Sequence, residues 1–262
     1  MSGRLLDGQI VLVAGVGPGM GRSVALRASA QGASVVLAAR TATRLDEVRD
    51  EIVAAGGRAC TVPTDATDPA QCRRLADVGI DVFGRIDALV HTGFARPATG
   101  LLGERTGEDW HRALDGNVIA AAQLVDAVAP TMRGQHSGAV VLVSSISARQ
   151  PYVNSGIYAT MKAAMLTLTK VYAQELGPHG VRVNCVVPGY IQSTDLDAFF
   201  EVLGREDGGG TAAARARATG ATALGRFPSA DEVADAAIFF ASPMATAITG
   251  QSLDVNAGHW FG

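Results

Sequence analysis

Tyr158 and Lys162 stand four residues apart in Tyr158-Ala159-Thr160-Met161-Lys162, at the start of a stretch with helical periodicity. On a helix this spacing puts the phenol and the ammonium on one face. A free tyrosine titrates near pH 10, about three units too high for efficient proton transfer near neutrality. A lysine cation a few ångströms away favours the phenolate and lowers that value. Tyr158 could then give a proton to a carbonyl oxygen or take one from an alcohol. The bare pattern arises by chance in many helices, so its meaning depends on its company. Ser145 lies thirteen residues earlier, at the end of the apolar run 139–144. A hydroxyl there can hydrogen-bond a substrate oxygen and hold it beside the phenol, while Ser144 and Ser147 are expected to satisfy backbone. Asn117, on the helical stretch 110–128, could bind a water that relays protons to Lys162. A capping or buried structural role explains Asn117 equally well.

A second constellation sits near the N-terminus. Ala14-Gly15-Val16-Gly17-Pro18-Gly19-Met20-Gly21 follows the apolar run 10–14 and opens a helical pattern. Glycines at 15, 19 and 21 let the backbone turn tightly and approach a pyrophosphate, which the helix N-terminus would face with free N–H groups. A tight turn needs glycine too, so the strand-before, helix-after context carries the dinucleotide reading. The next apolar run ends Ala38-Ala39-Arg40, with no carboxylate to accept hydrogen bonds from a ribose 2′-hydroxyl. Arg40 is either an ordinary exposed arginine or a contact for a 2′-phosphate, with Arg44 as a helper.

These residues need a frame. Short apolar, β-branched runs at 10–14, 34–39, 59–63, 88–91, 139–144, 182–186 and 252–255 are candidate strands. Most are continuously apolar, as strands buried on both faces must be. Helical patterns at 21–31, 43–55, 69–82 and 158–176 lie between them. The alternation predicts a single α/β domain spanning 1–262, a doubly wound parallel sheet with helices on both faces. In such sheets the active residues lie at the carboxyl ends of the strands. The segment 203–226 is rich in Gly, Ala, Thr and Arg, carries Gly208-Gly209-Gly210, and has little apolar pattern. It predicts a mobile loop or lid over about 196–226.

Composition narrows the function classes. The 262 residues are 48% hydrophobic and 18% charged, with a net charge of −3. That is apolar enough for a large core, and nothing in the charge attracts a polyanion such as nucleic acid. Three widely spaced cysteines, Cys60, Cys72 and Cys185, make neither a disulfide framework nor a zinc site, and five scattered histidines predict no metal. No run reaches the roughly 18 apolar residues of a membrane span. The apolar run 10–16 leads straight into the glycine loop, so it reads as a strand rather than a leader, and a cytoplasmic location is expected.

Together the motifs resemble the short-chain dehydrogenase/reductase family over nearly the whole chain, from Gly8 to Gly258. The pieces are the Gly15/Gly19/Gly21 loop, Asp65, Asn117, Ser145, Tyr158, Lys162, Asn184, Pro188-Gly189-Tyr190-Ile191 and Ile248-Thr249-Gly250-Gln251. The resemblance implies a Rossmann-type fold and hydride transfer between NADP(H) or NAD(H) and a ketone or secondary alcohol. It implies Tyr158 as proton donor and acceptor, Ser145 as substrate anchor, Asn117 as support for a proton relay, and Lys162 as partner of both the phenol and the nicotinamide ribose. Cofactor contacts are expected from Gly15, Gly17, Gly19, Met20, Gly21, Arg40, Gly93 and, at the adenine, Asp65 and Ala66. Pro188, Gly189 and Ile191 would line the carboxamide pocket. The absent carboxylate and Arg40 favour NADP over NAD. A homotetramer is also implied, with the apolar tail His259-Trp260-Phe261-Gly262 buried at a subunit contact or on its own subunit. Two departures stand out. The family's Asn-Asn-Ala-Gly segment reads His91-Thr92-Gly93-Phe94, and Ser193 stands where threonine is usual. The fold also hosts epimerases, dehydratases and non-catalytic cofactor-binding regulators. A regulator would not need Ser145, Tyr158 and Lys162 in register. The substrate pocket is expected from 149–157, Tyr190 and 196–226.

Overall fold

The structure, a computed structural model, describes residues 3–206 and 208–261. Seven strands form one parallel sheet: β1 (Ile10–Ala14), β2 (Ser34–Ala39), β3 (Arg58–Pro63), β4 (Ala88–His91), β5 (Gly138–Val143), β6 (Val181–Pro188) and β7 (Ser252–Val255). Their spatial order is β3-β2-β1-β4-β5-β6-β7. The chain winds outward from β1 to β3, then returns to lay β4 against the other side of β1. The direction reverses between β1 and β4, and in open α/β sheets ligands bind in the crevice at that switch.

Side-chain alternation divides the core into two layers. Ile10, Leu12, Val140 and Leu142 face one layer, against α3 (Pro69–Phe83), α5 (Ala120–Gln135) and α6 (Gly156–Leu176). Val11, Val13, Ala139 and Val141 face the other, against α1 (Met20–Ala30), α2 (Ala42–Ala54) and α9 (Ala230–Ala241). Every residue of β1 and β5 is buried, which explains why these strands are continuously apolar. Each fully buried Val or Leu contributes about 1.5–3 kcal/mol relative to exposure. α4 (Gly107–Leu114) leads into a wide π turn, Asp115–Ile119, before α5 begins, so the stretch 110–128 is a helix with one widened turn rather than a continuous one.

Between β6 and α9 the structure departs from the sequence expectation. The segment read as a loop is largely helical: α7 (Thr194–Glu206) packs on α8 (Gly210–Gly220). Phe200, Ala214 and Phe227 are buried in a small core of their own, flanked by Tyr190, Phe199 and Leu203. α8 hides from a hydrophobicity reading because its face is alanine. Its contact works through closeness: a Cβ on Gly204 would lie 2.4 Å from the backbone at Gly210 and Thr211.

The glycine loop is bound into the sheet before any ligand is considered. Gly15 has φ +92°, and a Cβ there would come within 2.2 Å of the Gly93 backbone nitrogen. The Thr92 hydroxyl donates to the carbonyls of Ala14 and Gly15, at 3.2 and 3.0 Å. Gly17 is different, since a Cβ there would meet nothing closer than the Gly15 carbonyl at 4.0 Å. Gly15→Ala is therefore expected to cost about 1–3 kcal/mol of stability, and Gly17→Ala to stay within about 0.5 kcal/mol of wild type. Urea denaturation of both variants checks this, and equal losses would contradict the division between a packing glycine and an open one.

Candidate active site

The carboxyl ends of β1, β4, β5 and β6 lie side by side on one edge of the parallel sheet, the edge at which open α/β sheets bind ligands. At the end of β5 the chain leaves the strand at Val143, and Ser145 caps a short 3₁₀ turn, Ile146–Ala148. The Ser145 hydroxyl accepts from the Ser147 N–H at 3.2 Å, which fixes its position. Ser144 turns the other way and donates to the Lys162 carbonyl at 2.7 Å, tying the strand end to α6. α6 begins at Gly156, and its first turns present Tyr158 and Lys162 on one face.

Lys162 is buried, and its ammonium donates to the Val143 carbonyl at 3.1 Å. Burial lowers its pKa to about 8 from an ordinary 10.5. The Lys162 Nζ lies 5.8 Å from the centre of the Tyr158 ring and 5.6 Å from that of Phe94. The Tyr158 phenol is held above its ordinary value, chiefly by burial, while Ser145 within hydrogen-bonding reach and the Arg96 charge pull it down. The expected depression by Lys162 does not set the phenol: desolvation, which penalises the phenolate, is the largest cause, and the charge that pulls the phenol down is that of Arg96.

Asn117 lies in the wide turn, which packs against α6. Its amide donates to the carbonyls of Ala95 and Ala113, at 2.9 and 2.8 Å. Its Oδ1 is buried without a partner, so an acceptor remains for a further donor. Asn117 sits in the π turn Asp115–Ile119, a widened turn of the kind often found at functional sites.

The remaining expected cofactor residues line the same edge. Gly17 and Gly19 leave open space above the α1 N-terminus, which has no side-chain cap and no acid in its first turn. Met20 is half-buried against the core, and a Cβ on Gly21 would come within 2.3 Å of the Gly15 carbonyl. Gly21 therefore packs the helix onto the loop. Arg40, just beyond β2, is exposed and close enough to Asp65 to help hold that carboxylate ionised. The larger cause is Thr67, whose N–H and hydroxyl both donate to Asp65, at 3.0 and 2.8 Å. Ala66 follows, half-buried, its carbonyl accepting a weak bond from the Cys72 thiol. Arg44 lines a hollow of about 310 Å³ with Gly17, Pro18 and Arg22. At the end of β6, the Gly189 N–H donates to the Val255 carbonyl at 3.3 Å, and a Cβ on Gly189 would meet Asn256 at 2.9 Å. Pro188 ends the strand and Ile191 packs into the core beside α9.

Several working residues were invisible as such in the sequence. Thr92 pins the glycine loop. His91 is buried with neither ring nitrogen partnered, and burial beside Lys162 lowers its pKa to about 4. It is neutral throughout the physiological range. Arg149, expected in the substrate pocket, instead bonds Asp254 and Ser252 on β7, at 2.8 Å each. His259 in the tail packs on its own chain's Tyr190, ring centres 5.6 Å apart, while Phe261 is exposed. Gly262 lies outside the described residues. Among the described residues no group of three or more potential ligands could hold a metal, and no helix is long and apolar enough to cross a membrane.

Comparison with known proteins agrees with this geometry. Residues 15–259 match the family model described as enoyl-(acyl carrier protein) reductase. Tropinone reductase-like 3 of Erythroxylum coca is 32% identical over 98% of this chain and 95% of its own length. The 7alpha-hydroxysteroid dehydrogenase of Escherichia coli is 31% identical over 97% of this chain and 94% of its own. The solved structure of carveol dehydrogenase from Mycobacterium avium, in complex with NAD, superposes with a TM-score of 0.92 at 26% identity, covering 98% of this chain and 99% of that one. From the parallel sheet, the glycine loop at its switch point and this similarity along almost its full length, the chain belongs to the short-chain dehydrogenase/reductase family of oxidoreductases.

Proposed function

We propose that this chain interconverts a ketone and a secondary alcohol with a nicotinamide cofactor, Tyr158 being the proton donor and acceptor. The observation that carries the reading is the meeting of Tyr158, Ser145 and the buried Lys162 at the end of β5, in the crevice that the glycine loop opens. A dinucleotide fits the residues present. The open backbone at Gly17 and Gly19 and the uncapped α1 N-terminus suit a pyrophosphate. Asp65 and Ala66 would hold the adenine, Gly93 would allow close approach, and Pro188, Gly189 and Ile191 would hold the carboxamide. When bound, the nicotinamide supplies a hydride to the carbonyl carbon or takes one from the alcohol carbon.

The protein's own residues handle the oxygen and its proton. Ser145 donates to the substrate oxygen and fixes it beside the phenol. Because burial keeps Tyr158 protonated at neutral pH, the hydroxyl is ready to give its proton as negative charge grows on that oxygen. Oxidation runs these transfers backwards and needs the phenolate, so it gains as pH rises. The Lys162 charge, one side chain below, favours the phenolate that reduction leaves behind. Asn117 Oδ1 remains as an acceptor for a water that could return a proton towards Lys162.

NADP(H) is the preferred cofactor in this reading. No carboxylate ends β2, and the exposed Arg40 guanidinium can pair with a 2′-phosphate through parallel hydrogen bonds. Arg44 in the neighbouring hollow adds positive charge, although Glu47 and Glu51 share that hollow. The helices α7 and α8 are proposed to move as a unit over the bound ligands, turning at the glycines around 208–210.

Three outcomes are expected. Tyr158→Phe should leave folding and cofactor binding nearly intact and reduce turnover by about 10²–10⁴-fold. Near-normal steady-state rates with the phenylalanine enzyme would remove Tyr158 from the chemistry. Arg40→Ala should lower kcat/KM with NADP(H) by about tenfold or more, the worth of one charge-assisted contact, and leave NAD(H) almost unaffected. Wild-type efficiency equal or better with NAD(H) would show that Arg40 reads no phosphate. Lys162→Met should abolish turnover yet raise stability at pH 7. The buried ammonium carries a penalty on the order of 3 kcal/mol while both folded and unfolded lysines are charged, that is, below pH about 8. The penalty fades as pH rises from about 8 towards 10.5, so the gain should shrink over that range. Thermal unfolding of both proteins at pH 7 and pH 10 checks this, and a lower midpoint for Lys162→Met at pH 7 would contradict it.

A further inference from the structure

The mouth of the crevice beside Tyr158 is unusually apolar for an exposed surface. Phe94 is 50% exposed, although it sits directly against the site, its ring meeting that of Tyr158 edge-on at 6.3 Å. It adds a phenyl ring where the family segment noted above ends in glycine. Leu102 is 51% exposed and rests against the start of α6, where a Cβ on Gly156 would lie 2.5 Å from its Cδ2. Tyr152 and Val153, in the turn before α6, are 50% and 73% exposed. The two segments are tied together, the Gly100 N–H donating to the Asn154 carbonyl at 3.0 Å. Tyr152 lies close enough to Tyr158 and to Tyr190 to disfavour ionisation of both. Tyr190 continues the lining into the aromatic core of α7, through Phe199 at 5.8 Å.

An aromatic and aliphatic rim around a few polar groups has a definite meaning for recognition. Large exposed apolar groups gathered at a crevice mark a ligand surface, and a few convergent polar groups fix orientation. Here the convergent polar groups are Tyr158 and Ser145, with the Arg96 charge acting on Tyr158 and the Tyr152 hydroxyl on the rim. Phe94, Leu102 and Val153 cannot hydrogen-bond a second hydroxyl on a substrate. A polyhydroxylated ligand would therefore lose water contacts along these three side chains without replacing them, whereas a fused-ring or other bulky alicyclic ligand would cover them.

We propose that Phe94 is the specificity-determining residue of this site, forming with Leu102, Tyr152 and Val153 an apolar wall that selects bulky alicyclic ketones and the matching secondary alcohols. The inference rests on the oxidoreductase reading above and adds the substrate class and the residue that sets it. Tyr158 stays the proton-transfer group, and Phe94 contacts the carbon skeleton beyond the carbonyl.

The test compares kcat/KM for three probes with NADPH or NADH: 2-decalone, hydroxyacetone and 4-oxopentanoate. Cofactor binding is measured separately by calorimetry. Wild type should favour 2-decalone over hydroxyacetone by about 100-fold or more, because each well-placed methylene in an apolar pocket is worth roughly 10-fold upward. Phe94→Ala should reduce that ratio at least tenfold, mainly through KM, and Phe94→Leu should restore part of it. Leu102→Ser, at the other side of the rim, should move the ratio in the same direction. An unchanged ratio in soluble, cofactor-binding Phe94→Ala and Leu102→Ser proteins would overturn the proposal. So would a wild-type preference for hydroxyacetone, or for 4-oxopentanoate, which would assign the mouth to the Arg96 charge instead. Cofactor binding without turnover of any probe would overturn the substrate class alone. No cofactor binding at all would overturn the oxidoreductase reading with it.

Discussion

The Lys162 ammonium is buried beneath the crevice and held by the carbonyl of Val143, the last residue of β5. Much of the site depends on that burial. It fixes α6 against the end of β5, and the Ser144 bond to the Lys162 carbonyl fastens the same junction from the other side. Tyr158 is thereby set one helical turn before the lysine, and Ser145 two residues beyond the strand. A cation in such a position is disfavoured by desolvation, which is why it titrates near 8. The surrounding thiol and imidazole stay neutral: Cys185 is pushed up to about 11 and His91 down to about 4. With these two groups neutral, the buried Lys162 ammonium keeps its charge beneath Tyr158, while the Arg96 charge acts on the phenol from elsewhere.

The same economy of space governs the cofactor side. The glycine loop, the turn after β4 and the start of α1 touch at the backbone, with Gly15 against Gly93 and Gly21 against the Gly15 carbonyl. Thr92 closes this contact through its hydroxyl. That hydroxyl apart, the contact is backbone against backbone, so the glycine loop with the start of α1 and the distant turn after β4 behave as one rigid wall. The departure from the family segment at 91–94 leaves this wall intact because its working parts are a small residue at 93 and a hydroxyl at 92. His91 replaces a hydrogen-bonding amide with a buried ring that has no well-formed hydrogen bond, and burial keeps it uncharged.

What the sequence made legible follows from which interactions are local or periodic. Strands buried on both faces announce themselves as apolar runs, and all seven lie where those runs stand, with β6 extended to Pro188 by its pairing with β7. Tyr158 and Lys162 are readable because a helix converts a spacing of four into a shared face. Ser145 is readable because the strand end places it. The π turn at Asn117 was not, since one extra residue per turn leaves no trace in composition. α8 was missed because alanine and glycine pack by closeness rather than by apolar bulk. The phenol's raised pKa was missed for a related reason: burial is a property of the assembled crevice, and no pair of residues encodes it.

This contrast explains why chemistry and specificity differ in how far they can be read. The residues proposed for the chemistry sit on strand ends and one helix, where backbone geometry fixes side-chain positions within narrow limits. The rim around Tyr158 is built from turns whose side chains are half exposed, tied by a few bonds such as Gly100 to Asn154. Replacing a rim residue perturbs few packing contacts, so the rim can change while the floor cannot. Phe94 stands at the join of the two: its backbone continues the rigid wall from Gly93, and its ring projects beside Tyr158. In the proposed reading, a single side chain at that join alters which carbon skeleton is accepted without moving the groups that would handle the oxygen.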